Sequence, residues 1–277
     1  MYQFISKLGL AIVVIWFASY LTEPIFVRFQ IGAFIYQAIS DVQHNSVASK
    51  LILGDSTGNM LFREEKTKRN QSGSSECIAT TNYSVTPLGQ WLLMKEFCET
   101  RAHNDSIEIN LILHPGSFSA GFHSQYTYHY FHLPFSDLFW KHQSCAFPRE
   151  LMNTQLLIRL APPLRLMRYN PIKHNVGQAL SMTEPVPLTL CALNQIKNLE
   201  DTHPVKIHIL PPPLHQDWKE INISSIGDVL REAQLFEQAK EYENAIEYWE
   251  DTEDWMDNAH FSRNSAITPK NWLNLLD

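Results

Sequence analysis

An α/β domain with a mostly parallel central sheet is the fold class this sequence predicts, on three observations. Three short apolar runs, 49–53, 107–113 and 205–210, have the length and composition of buried strands. Each ends at once in turn-forming residues: Gly54-Asp55-Ser56-Thr57-Gly58, His114-Pro115-Gly116-Ser117 and Pro211-Pro212-Pro213. Between these runs lie stretches of helical pattern, and strands alternating with helices imply parallel pairing through crossover connections.

Taken in chain order, the first feature is the run LGLAIVVIWFASYL from Leu8 to Leu21, preceded by Phe4 and Ile5. It approaches the ~17 residues that a membrane-crossing helix minimally needs. No small-x-small cleavage site follows it, so an uncleaved signal anchor is preferred over a cleaved signal or a buried first helix. Lys7 before the run and Glu23 after it favour a cytoplasmic amino terminus and a body outside the cytoplasm. The reading is therefore 1–24 as a cytoplasmic stub and transmembrane anchor, 25–45 as a membrane-proximal connector or amphipathic helix, and 46–277 as the folded domain.

Within the domain, residues 63–76 are charged and then Gly/Ser-rich, which reads as a solvated loop. After Thr86-Pro87, the spacing of Leu88, Trp91, Leu92, Lys95 and Phe97 predicts an amphipathic helix. Tyr126–Leu133 alternates like a strand, 137–140 and 151–161 read as helical, and a short helix is expected at 190–199. A long helix is predicted from about Ser225 to Tyr248, with Ala233, Phe236, Ala239, Tyr242 and Ile246 as its inner stripe. A closing helix is expected after Thr268-Pro269. No repeat or linker divides the body.

Composition bounds the function. The chain has 277 residues, of which 44% are hydrophobic, ample for one large core, while 10 Gly and 15 Pro exclude a collagenous or low-complexity chain. A net charge of -7 argues against wrapping nucleic acid, so no nucleic-acid partner is expected. Cys77, Cys98, Cys145 and Cys191 show neither a CxxC rhythm nor a disulfide framework, and their pairing is left open. His114, His123, His129, His132 and His142 match no metal-ligand spacing, so no metal or other cofactor is expected. The Gly54–Gly58 turn lacks a Walker lysine, which disfavours a phosphate-binding enzyme.

The constellation with chemical content joins the two ends of the domain. Ser56 follows a buried strand, where open α/β sheets expose side chains at their carboxyl edge. Asp257-x-x-His260, with Trp255 before and Phe261 after it, supplies an imidazole to take a serine proton and a carboxylate to orient the ring. Asp254 is the substitute carboxylate if the turn is longer. Plainer roles exist for each: Asp55 as a helix cap, Gly116 as a turn residue and His260 as a surface histidine.

Gly54-Asp55-Ser56 after the first strand, together with the C-terminal Asp257-x-x-His260, resembles the SGNH (GDSL-type) hydrolase superfamily. The anchored placement and the Trp255-x-Asp257-x-x-His260-Phe261 form most resemble its extracytoplasmic relatives associated with alginate O-acetylation and teichoic acid D-alanylation. That resemblance implies a three-layer SGNH-like fold and an O-acyltransferase or esterase acting on a cell-surface glycan or related polymer. Ser56 would be the nucleophile, His260 the general base and Asp257 its orienting carboxylate, with Gly116 and Ser56 as oxyanion donors. It also implies a membrane protein as a possible acyl donor. The family's Gly-x-Asn-Asp block has no counterpart here, and neither Asn153 nor Asn194 replaces it. A non-catalytic polymer-binding or assembly subunit of the same fold is the alternative. Arg159, Arg165, Arg168 and Lys173 are candidate basic residues for an anionic polymer.

Overall fold

The computed structural model describes residues 2–29, 33–45, 47–55, 57–58, 77–81, 87–101, 106–119, 141, 145, 187–220 and 224–249. The expected strand at Tyr126–Leu133, the helices at 137–140 and 151–161, the closing helix after Pro269 and the basic residues between 159 and 173 lie outside these. The elements are α1 (Tyr2–Phe29), α2 (Ala33–His44), β1 (Lys50–Gly54), β2 (Cys77–Thr81), α3 (Pro87–Thr100), β3 (Ile107–Ile112) and α4 (Gly116–Ser119). They continue with α5 (Pro187–Thr202), β4 (Val205–Leu210), β5 (Leu214–His215), a 3-10 turn (Gln216–Glu220), α6 (Ser224–Glu232), α7 (Phe236–Asn244) and β6 (Tyr248–Trp249).

The fold is α/β with a parallel sheet, in the order β2-β1-β3-β4. In register, Leu51 sits beside Ile78 on one side and Ile109 on the other, and Ile109 sits beside Ile207. The central strands are buried on both faces, which is why Leu51–Leu53 reads as an unbroken apolar run and Ile109–Leu113 is interrupted only by the buried Asn110. The edge strand β4 instead alternates, with Val205, Ile207 and Ile209 buried and Lys206 exposed. A second, two-stranded parallel pair joins β5 to β6.

β2 has no counterpart in the sequence reading. Its segment, CIATT, is short and only half apolar, but Cys77 and Ile78 are buried against β1. Helix α3 also departs from expectation: it is buried around nearly its whole circumference, because α2, α5 and the sheet all pack on it. Two of its inward polar side chains bond across the core. Gln90 Nε2 donates to Gly54 O at 2.9 Å, and Glu96 accepts from Gln43 Nε2 at 2.9 Å and Lys141 Nζ at 2.7 Å. Burial works to lower the Lys141 pKa, and the Glu96 and Glu99 carboxylates outweigh it and raise the pKa.

Arg101 fastens the amino-terminal edge of the sheet. Its guanidinium, 2% exposed, donates to Ala48 O at 2.7 Å, Val42 O at 3.0 Å, Phe97 O at 3.3 Å, Thr100 Oγ1 at 2.6 Å and also Asn45 O. The carbonyls that a helix end leaves without intrahelical donors are thereby covered where α2 finishes. Burial pulls the Arg101 pKa down to about 10, so the group is still cationic at neutral pH. Helix α2, within the segment read from sequence as a connector or amphipathic helix, is part of the same core, with Ala38, Ile39 and Val42 buried.

The predicted single helix from 225 to 248 is two helices. Leu235 N–H donates to Leu230 O at 2.9 Å and Gln234 N–H to Arg231 O at 2.9 Å, while Gln234 adopts φ 61°. This is the Schellman termination of α6, with glutamine at the left-handed position that glycine usually fills. Of the expected inner stripe, Ala233, Ala239 and Tyr242 are buried, but Phe236 is 62% exposed because the break rotates α7.

Helix α1 runs for 28 residues. Side chains are described at 4–18 and 21, and all of them are exposed, with Phe4, Leu10, Val13 and Leu21 at 60% or more. Among the described residues no helix is long and apolar enough to cross a membrane. The stretch 4–18 rises about 22 Å, against a hydrocarbon core of about 30 Å.

Cys145 and Cys191 form a disulfide with a Cα–Cα distance of 5.9 Å, tying residue 145 to α5. Cys77 and Cys98 are buried and outside any disulfide. Burial pushes the Cys98 thiol up to about 12, which leaves it unreactive at neutral pH.

Candidate functional site

The order β2-β1-β3-β4 creates a switch point between β1 and β3, since the chain leaves β1 toward β2 and then crosses to β3 on the other side. Open α/β sheets bind ligands in the crevice beyond the carboxyl ends of strands at such a point. Here the two turns predicted from sequence meet there: the turn after Gly54 and the turn after Leu113.

Asp55 joins them. Its Oδ1 accepts the backbone N–H groups of Thr57 at 3.0 Å and Gly58 at 3.4 Å, the geometry of a helix N-cap. Its Oδ2 accepts from His114 N–H at 2.7 Å and from Ser117 Oγ at 2.7 Å. Asp55 N–H in turn donates to Ile112 O at 3.3 Å. The carboxylate is 5% exposed, so these bonds act with little competition from water. The cap role considered from sequence is therefore present, and a tie across two strands is added to it.

The second turn is organised around His114. Its Nδ1 accepts from Gly116 N–H at 3.1 Å, so the neutral ring carries its proton on Nε2. Trp218, from the 3-10 turn after β5, meets the ring edge to face with centroids 4.5 Å apart. Gly116 begins α4, and a Cβ built on it would lie 3.3 Å from His114 Nδ1 and 3.7 Å from Trp218 Cη2. The His114 ring would have to move by a few tenths of an ångström to admit even a methyl group. Gly116→Ala is expected to cost about 1 kcal/mol through this crowding, read as a lower midpoint in urea unfolding.

From below, Tyr242 of α7 donates its hydroxyl to Leu113 O at 2.9 Å, and its ring meets Phe118 edge to face. Burial, with the negative charge of Asp55 adding to it, raises the phenol pKa well above its ordinary value, so Tyr242 remains a neutral donor. On β5, His215 is buried and its Nδ1 lies 3.1 Å from Asp217 Oδ2.

Of the residues singled out from sequence, Gly116 stands at the switch point and its N–H is engaged by His114. Ser56 follows Asp55 directly in the chain but lies outside the described residues, as do Asp254, Asp257, His260 and Asn153; Asn194 is exposed on α5. Asp55, His114, Ser117 and Trp218 complete the arrangement. Asp55 and Ser117 were legible as turn residues, whereas Trp218 carried no sequence signal and reaches the site only because β4, β5 and the 3-10 turn follow one another. Among the described residues no group of His, Cys, Asp and Glu is arranged to hold a metal ion.

Chemically, the described residues form a hydrogen-bonded rim that joins the end of β1 to the glycine-begun helical turn after β3. No protein-family model, curated protein or solved structure matches this chain.

Proposed function

We propose that this protein is a membrane-attached, SGNH-like O-acyltransferase or esterase that acts on a cell-surface glycan or related polymer, with its body in the periplasm or outside the cell. The observation that carries the reading is the Asp55 tie, because it holds the end of β1, which Ser56 follows in the chain, against the Gly116 turn at the sheet's switch point. Two further features favour the envelope location. The Cys145–Cys191 disulfide suits an oxidising compartment. Helix α1 exposes the apolar side chains of its described stretch, 4–18 and 21, which lipid would cover at no cost in hydrophobic free energy.

In this mechanism Ser56 Oγ attacks the acyl carbon as His260 takes its proton, with Asp257 fixing the imidazole tautomer. The oxyanion is held by the N–H groups of Ser56 and Gly116, the latter exchanging His114 Nδ1 for the substrate oxygen. The donor alcohol leaves with the proton from His260, and the acyl-Ser56 ester passes its acyl group to a glycan hydroxyl or to water. A membrane protein could supply the acyl donor.

A fluorophosphonate tests this directly. Intact-mass measurement is expected to find one adduct on the full chain, peptide mapping to place it on Ser56, and His260→Ala to slow its formation. A folded chain that takes up no adduct would count against an activated serine. It would favour the second reading, a non-catalytic polymer-binding or assembly subunit of an envelope complex. One observation already points that way: Gly116 N–H, the expected oxyanion donor, is bonded to His114 within the protein.

A further inference from the structure

We infer that His114 is a latch on the candidate site, holding the Gly116 N–H in the resting protein and yielding it to an oxyanion but not to a neutral ester carbonyl. The inference rests on the proposed role of that N–H as an oxyanion donor and adds the control of when the donor is released.

The contact is built on both sides. Gly116 N–H reaches His114 Nδ1 at 3.1 Å, a closure across two residues for which glycine leaves room, since a Cβ on residue 116 would stand 3.3 Å from the same nitrogen. The histidine is held twice more: its backbone N–H is bonded to Asp55 Oδ2 at 2.7 Å, and Trp218 meets its ring edge to face at 4.5 Å. His114 is 6% exposed whereas Gly116 is half-buried, so a ligand can approach the glycine while little water reaches the histidine.

Acceptor strength decides which oxygen can open the latch. An unprotonated imidazole nitrogen is a more basic acceptor than an ester carbonyl oxygen. A bound but unreacted ester therefore does not displace it, the more so because the displaced Nδ1 would lose its Gly116 donor inside the protein. The substrate oxygen becomes anionic only as the acyl carbon turns tetrahedral, and a charge-assisted hydrogen bond is about twice as strong as a neutral one. The Gly116 N–H is thus given up as the transition state forms, where such a bond accelerates the reaction, and is withheld from the ground state, where it would not.

Three substitutions in the full chain separate the acceptor from the bulk of the ring. His114→Leu and His114→Phe both remove the acceptor, and either suffices if the other does not fold; His114→Asn has the shape of the leucine variant but returns an amide oxygen to the Nδ1 position. A fluorophosphonate reads the site, because Ser56 Oγ bonds to phosphorus as fluoride leaves and the hydroxyl proton passes to His260, with the phosphonyl oxygen taking the oxyanion position. With no latch to open, second-order labelling of Ser56 is expected to rise about fivefold in the leucine and phenylalanine variants, the weight of one net hydrogen bond between neutral groups. The asparagine variant is expected to bring the rate back toward the parent's. Amide hydrogen exchange at Gly116, followed by NMR, is expected to quicken in the first two variants and not in the third. Labelling in the leucine and phenylalanine variants no faster than in the parent, or exchange at Gly116 that is the same in all four proteins, would overturn the latch and leave the serine mechanism standing. No adduct on Ser56 in the folded parent or in any variant would overturn the proposed reaction and the latch with it.

Discussion

Ser56→Ala is expected to lower turnover of an aryl acetate ester by at least about 10³-fold in kcat while leaving the unfolding midpoint almost unchanged. The two halves of this expectation have separate physical origins. A hydroxyl that attacks an acyl carbon has no substitute in a methyl group, and what remains is catalysis by the surrounding N–H donors and by binding alone. Stability is different, because none of the four bonds to the Asp55 carboxylate, nor its N–H bond to Ile112 O, uses the side chain of residue 56. The alanine variant should therefore stay within about 1 kcal/mol of the parent, as substitutions that break no buried network do. Steady-state ester hydrolysis beside urea unfolding separates the outcomes. Full turnover in a folded Ser56→Ala protein would remove the serine mechanism, and loss of both properties would make residue 56 a structural element of the turn.

How much of this was legible in the sequence depended on what each element is packed against. β1, β3 and β4 could be read because each is a largely apolar run followed closely by glycine or proline, and the central two are buried because helices and neighbouring strands cover both faces. β2 could not, since CIATT gains its strand character from pairing with Lys50–Gly54 rather than from its own composition. The break between α6 and α7 was hidden for a local reason. Its left-handed position is held by Gln234, and without glycine or proline the pattern of apolar residues runs on through the turn. The pairing of Cys145 with Cys191 was equally invisible, because 46 residues separate them and only the placement of α5 brings them together. At the site, both turns were visible as chain segments, but the bond between them was not. It exists because β1 and β3 are neighbours, a property of strand order that no local motif encodes.

Asp55→Ala is expected to destabilise the fold by about 3 kcal/mol or more, the larger stability effect of any change at the site. The variant removes one buried acceptor group from four donors at once: the N–H groups of Thr57, Gly58 and His114, and the Ser117 hydroxyl. Each buried donor left without its acceptor costs about 1–3 kcal/mol, and water entering the small space left by the carboxylate can recover part of this. The loss is a large share of the about 5–15 kcal/mol by which a typical domain is stable. Asp55→Asn provides the graded comparison. Its amide oxygen can still cap Thr57 and Gly58, but its NH₂ then faces the His114 N–H, two donors in contact, while Ser117 Oγ can reverse its role and accept. The asparagine variant should therefore fall between the parent and the alanine variant in urea unfolding. It should also keep the helix start after β1 while loosening the His114–Ser117 turn, which amide hydrogen exchange at His114 would show as faster opening than at Thr57. If alanine and asparagine cost the same, the tie across the switch point contributes nothing beyond the cap, and the juxtaposition of the two turns must be held by the Tyr242 and Trp218 packing beneath them.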